Sequence, residues 1–317
     1  MQNILSYKIF WFAAALILSI TTDFPAVGLI IGIAIALIFG NPIKSVTGQI
    51  SKQLLQTSVI LLGFGMQIGV ILKVGFASIG ITFTSIAITM IAGFLLGRFF
   101  QIERNLSILL TSGTAICGGS AIAAMAPAIN ATQGQTAVAM AVVFLLNALG
   151  LIIFPPLGHL LGMDEASFGL WAAIAIHDTS SVVGAAAQYG AVAAGIAVTV
   201  KLTRALWIFP LAFGAAKFNK SETKPPFQWF LVGFLMAGLI TTIFPAGNEV
   251  WHSLSTAGKH LMTGTLFLVG AGLTMEELRK VGVRSLLVSV ILWIIITIVS
   301  FAAISMGIWY ISPEILS

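Results

Sequence analysis

The sequence predicts an all-α polytopic membrane protein of about ten to eleven transmembrane helices, with an inverted repeat and broken helices near mid-membrane. Three observations lead there. Hydrophobic residues make up 58% of the 317 residues and charged residues only 8%, against about 25% charged in an ordinary soluble domain. So few charges cannot dress the chain for water, and the apolar excess must face lipid. Apolar runs of roughly 20 residues, the length that crosses a bilayer, follow one another from end to end. Two distant stretches also share one pattern of glycines, leucines and lysines.

The expected spans are 7–20, 25–40, 53–71, 77–97, 105–128, 135–160, 168–187, 190–216, 227–246, 257–275 and 285–311. Asn41-Pro42, Pro155-Pro156, Pro225-Pro226 and Pro245-Ala246-Gly247 punctuate them. The first run, behind Lys8, reads as a membrane helix and not a cleaved leader, because no polar mature domain follows it. The hydrophilic stretch 217–226 is the expected linker between two halves of one transmembrane domain, 1–216 and 227–317.

A cytoplasmic N-terminus puts Lys8, Lys44, Lys52, Arg98, Arg104, Lys217, Lys220, Lys224, Arg279, Lys280 and Arg284 inside. Lys73 and Lys259 stay outside with Asp23, Glu249 and Glu314. That asymmetry obeys the positive-inside rule. One expected inside loop is weak: 161–167 holds Asp164 and Glu165 but no Lys or Arg. The net charge of +5 therefore reports topology, not nucleic-acid binding. The single cysteine, Cys117, excludes an internal disulfide and a Cys-cluster metal site. No cofactor is expected.

Residues 51–78 align without gaps onto 258–285. The matches are Lys52/Lys259, Leu54/Leu261, Leu61/Leu268, Gly63/Gly270, Gly65/Gly272, Lys73/Lys280, Val74/Val281, Gly75/Gly282 and Ser78/Ser285. In this topology the copies run in opposite directions, as inverted repeats of secondary transporters do.

Three segments carry the candidate chemistry. In Gly113–Pro127, the pair Gly118-Gly119 weakens a helix by about 1 kcal/mol per glycine, and Pro127 opposes its continuation. A helix broken there would turn free amides at Cys117, Gly118, Gly119 and Ser120 toward an anion; close packing through small residues is the plainer reading. In Ala175–Gly184, His177, Asp178, Thr179 and Ser180, followed by Ser181, fall within a span, where polar groups are costly. His177 and Asp178 can take a proton, or Asp178 a Na⁺; a surface location is the alternative. In the third, Lys201 and Arg204 share a helix face amid apolar residues. They would hold an anionic substrate or neutralise Asp178, or else snorkel to the surface. Ile116/Ile176 and Ser120/Ser180 make the second segment echo the first, which leaves each segment open to being broken or re-entrant. Gln53, Gln56, Gln67 and Asn147 read as helix–helix hydrogen-bonding residues.

Gly113-Thr-Ala-Ile-Cys-Gly-Gly-Ser-Ala-Ile-Ala-Ala, Phe168-Gly-Leu-Trp-Ala-Ala-Ile-Ala-Ile-His-Asp, Val200-Lys-Leu-Thr-Arg204 and Leu61-Leu-Gly-Phe-Gly-Met resemble the YeiH-type family, labelled sulfate exporters (UPF0324 membrane proteins). At superfamily level that family is similar to cation–proton antiporters and bile-acid-type symporters. The resemblance implies inverted repeats, crossing broken helices and transport. The expectation is a secondary transporter in the inner membrane, moving a small anion such as sulfate or another sulfur-containing anion with H⁺ or Na⁺. Membrane lipid and a second copy, in a homodimer, are its expected neighbours. A channel, a non-transporting receptor and an intramembrane enzyme acting through His177 and Asp178 are the alternatives. No P-loop for nucleotide binding is present.

Overall fold

The computed structural model describes residues 2–21, 25–219, 221, 229–272 and 282–311. Among them all regular structure is helical. Most of the 217–226 linker, together with Arg279 and Lys280, lies outside the described residues. The chain forms two compact units: Met1–Leu72 with Gln228–Glu276, and Lys73–Phe227 with Glu277–Ser317.

The first unit contains α1 (Gln2–Ile20), α2 (Pro25–Ile38), α3 (Lys44–Gly63), α12 (Trp229–Ile243) and α13 (Asn248–Gly272). α3 and α13 carry the matched residues 51–63 and 258–270, and they pack antiparallel. Gly258 lies against Ser58, Leu61 and Leu62, while at the other end Asn41 Nδ2 donates to Ala271 O at 3.0 Å. The matched glycines have equivalent duties. A Cβ on Gly63 would strike Phe234 O of α12 at 2.7 Å, and one on Gly270 would run into Leu29 O of α2. Each copy of the repeat thus lets an outer helix onto its backbone at the same position. Phe12 and Phe267 close this core edge to face, 5.1 Å apart.

Four helices are long and apolar enough to cross a membrane: α4 (Ile68–Phe99), which belongs to the second unit from Lys73 onward, and, wholly within that unit, α7 (Gln133–Leu160), α10 (Ala191–Leu206) joined through Trp207 to α11 (Ile208–Phe218), and α14 (Val283–Ser305). Their outward residues are large and apolar, Phe76, Ile91, Phe94 and Ile298 among them, as a lipid-facing surface requires.

Between these lie two helical hairpins. α5 (Arg104–Ala115) and α6 (Gly119–Ala128) form the first. Asn105 Nδ2 reaches Ile129 O at 3.3 Å, so the hairpin starts and ends at the same side. α8 (Glu165–Ala175) and α9 (Thr179–Tyr189) form the second. There Tyr189 Oη donates to Met163 O at 2.5 Å, the Phe168 and Tyr189 rings stack at 3.8 Å, and Glu165 Oε2 accepts the Val192 N–H at 2.8 Å. At 1.5 Å per residue, helices of 10 to 12 residues reach about half of the hydrocarbon thickness.

The hairpins enter from opposite ends. Gln135 at the start of α7 donates to Glu103 beside hairpin one, and His159 at the end of α7 stacks on Tyr189 of hairpin two at 4.1 Å. Expected spans 105–128 and 168–187 therefore turn back at mid-depth, and neither crosses. Loop 161–167 accordingly lies at the end opposite Arg104, not inside with it. Its lack of Lys and Arg follows from that. Smaller corrections concern boundaries: α3 stops at Gly63, α4 starts at Ile68 and α13 at Asn248, each offset from the expected limits.

Candidate functional site

The echo between residues 116–120 and 176–180 is structural. α5 ends at Ala115 and α8 at Ala175; α6 starts at Gly119 and α9 at Thr179. Each hairpin turns over three residues, and the two turns touch. Gly118 has φ 64° and ψ −125°, a region that only glycine enters readily. A Cβ there would lie 3.3 Å from the Cα of Asp178.

The depth of this junction follows from its neighbours. Asn147 stands at the middle of α7, Arg204 at the middle of the α10–α11 run and Trp293 beside the middle of α14, and all three touch the tips. The four expected residues His177, Asp178, Lys201 and Arg204 are brought together here, each buried. Cys117, Thr179 and Ser180 are buried with them, whereas Ser120 is exposed.

The last carbonyls of a helix have no partner within it, and in an apolar interior they need donors. At the end of α8 every one is supplied. Ile176 N–H serves Ala172 O. Lys201 Nζ donates to Ala173 O at 3.2 Å and to Ile176 O at 2.7 Å. Arg204 Nη1 donates to Ile174 O at 2.5 Å and Ala173 O at 3.2 Å. Trp293 Nε1 donates to Ala175 O at 3.0 Å. Arg204 also reaches hairpin one, with Nη2 3.4 Å from Thr114 O. Both cations thus serve as side-chain caps of α8, and Arg204 also holds the tip of hairpin one, a duty that spacing alone does not reveal.

At the start of α9, Asp178 Oδ2 accepts the Ser180 N–H at 3.0 Å and also the Ser180 hydroxyl. The start of α6 differs: Gly118 caps it with no side chain, the thiol of the preceding Cys117 takes the Ala121 N–H, and exposed Ser120 stands beside them.

The hydrogen bonds of Thr114 favour one tautomer of His177. Thr114 Oγ1 donates its hydrogen to Leu110 O at 3.0 Å, so toward His177 Nε2, 3.1 Å away, it acts as acceptor. Nε2 therefore carries the proton. Nδ1 is left as a bare lone pair, buried and without a partner. Thr114, Trp293 and Asn147 also belong to the junction, and sequence reasoning does not assign them to it. The one signal for Thr114 is its nearness in sequence to a polar segment, and for Asn147 it is a polar side chain in an apolar run.

The conserved hypothetical protein 698 family profile matches residues 4–289. The chain is 44% identical over 281 residues to a UPF0324 membrane protein of Geobacter sulfurreducens, covering 89% of this chain and 91% of that one. It is 45% identical over 291 residues to one of Bdellovibrio bacteriovorus, covering 89% of each, and 46% identical over 288 residues to one of Porphyromonas gingivalis, covering 88% and 86%. No solved structure matches. With an all-helical, lipid-faced fold and relatives of this identity along nearly its whole length, the chain is a multi-pass membrane protein that belongs to the conserved hypothetical protein 698 family of UPF0324 membrane proteins.

Proposed function

We propose that the protein is a secondary transporter that moves a small anion, with a sulfur oxyanion as the first candidate, and couples that movement to protons through His177. One observation carries the reading: two hairpins from opposite ends meet at mid-depth around four buried ionisable side chains, His177, Asp178, Lys201 and Arg204. Charges at that depth are costly and mark solute or proton pathways. Half-helix ends directed at a central site are a recurring device of secondary transporters. The start of α6 contributes amide donors and a positive helix end, and the buried cations add to that field. His177 Nδ1 contributes a free acceptor for the coupling proton.

The test is radiolabelled sulfate and sulfite flux in proteoliposomes under an imposed pH gradient or an imposed Na⁺ gradient. Saturable flux that follows the pH gradient is expected. The variant His177→Gln keeps a donor for Thr114 and removes the Nδ1 lone pair. Its gradient-driven flux should fall to the leak level while anion exchange continues. Flux driven by Na⁺ alone would overturn the proton assignment, and absence of saturable flux for either anion would overturn the choice of cargo.

A further inference from the structure

We propose that Asn147 is an anion ligand of this site, a role that rests on the anion-transport reading above and names a specificity residue for it. The Asn147 side chain is 1% exposed. Its Oδ1 accepts the Asp178 backbone N–H at 2.8 Å. An N–H can bond only to the oxygen of the amide, so this contact settles which way the group is turned. Nδ2 is left with two hydrogens, buried, and no partner. Buried side-chain donors are nearly always satisfied, so an orphan at a hairpin junction calls for an explanation.

Its location supplies one. One turn before Asn147 on α7, Val143 Cγ1 lies 3.2 Å from the Cβ position of Gly118 and Phe144 faces Gly119, as does Met140 two turns before. The side of α7 that bears Asn147 therefore backs the start of α6. Asp178, the acidic group at the tips, has Oδ2 committed to Ser180. Near it stand two unpartnered buried atoms, Asn147 Nδ2 as a donor and His177 Nδ1, and at the start of α6 the Ser120 hydroxyl is exposed while the Ala121 N–H is taken by the Cys117 thiol. Donors from two helices suit a small oxyanion that accepts hydrogen bonds from several directions.

The experiment is thermal unfolding of purified protein titrated with sodium sulfate, sulfite or nitrate against sodium gluconate at fixed ionic strength, since a ligand stabilises the state it binds. Asn147→Asp retains the acceptor for Asp178 N–H and loses the nitrogen donor; Asn147→Ala loses both without adding charge. In the wild type at least one probe should raise the melting temperature saturably, and in both variants its half-saturating concentration should rise at least tenfold. An unchanged anion response in either variant, even with a lowered baseline melting temperature, would assign Asn147 a packing role only and overturn the proposal. If Asn147→Asp does not fold, the response of Asn147→Ala decides. A wild type that responds to none of the three anions would remove the anion reading itself.

Discussion

Gly118 and Asp178 meet backbone to backbone where the two hairpins turn: a methyl group on Gly118 would stand 3.3 Å from the Cα of Asp178. Gly118→Ala should therefore be costly twice over. It forces a residue with a Cβ into a positive-φ conformation, worth about 1–3 kcal/mol, and it separates the tips. A lower melting temperature in detergent is expected, with anion flux reduced beyond the loss of folded protein. Unaltered stability would show that the turn does not require glycine.

Arg204 joins hairpin two to hairpin one through Ile174 O and Thr114 O. A lysine offers one point donor where the guanidinium offers a planar fork. Arg204→Lys should lose about 1.5–3 kcal/mol, the worth of a hydrogen bond to a charged group. Arg204→Met should lose more, because it leaves Ile174 O and Thr114 O bare while Ala173 O keeps only Lys201. Thermal unfolding in the order wild type, Lys, Met would bear this out. A Met variant as stable as the wild type would show that the clamp is dispensable.

Re-entrant hairpins reverse the sidedness of two loops. In a background where Cys117 is replaced by alanine, Gln133→Cys should react with an impermeant thiol reagent only from the side of Arg104. Leu161→Cys should react only from the opposite side. Eleven full crossings would exchange the two results, so labelling of intact cells and of inverted vesicles decides between the topologies.

The spans are legible in the sequence because a lipid-facing helix announces itself by composition, and the inverted repeat is legible because Gly63 and Gly270 each admit a neighbouring backbone. The hairpins are not. Residues 104–128 are apolar enough to pass for a crossing helix, and nothing in hydropathy distinguishes returning from crossing. The acidic loop 161–167 and the echo at Ile116/Ile176 are the traces they leave. The buried cluster of His177, Asp178, Lys201 and Arg204 is foreshadowed in the sequence, since ionisable groups stand out in an apolar chain. The work of Lys201 and Arg204 on carbonyls is hidden, because main-chain oxygens look alike in any sequence until two helix ends are placed beside them. Asn147 is hidden for a related reason: one amide amid a long apolar helix gives no hint of which of its two ends is occupied.

The clamp at Arg204 sets an order on biosynthesis. When the ribosome has made both hairpins, the carbonyls at Thr114, Ala173 and Ile174 have no side chain to meet them, for the groups that bond them arrive only with α10. A nascent chain released before residue 204 holds two half-depth loops that cannot settle in lipid, and quality-control proteases would find them open. Assembly of the membrane centre thus waits on translation of α10, however early the hairpins themselves are inserted.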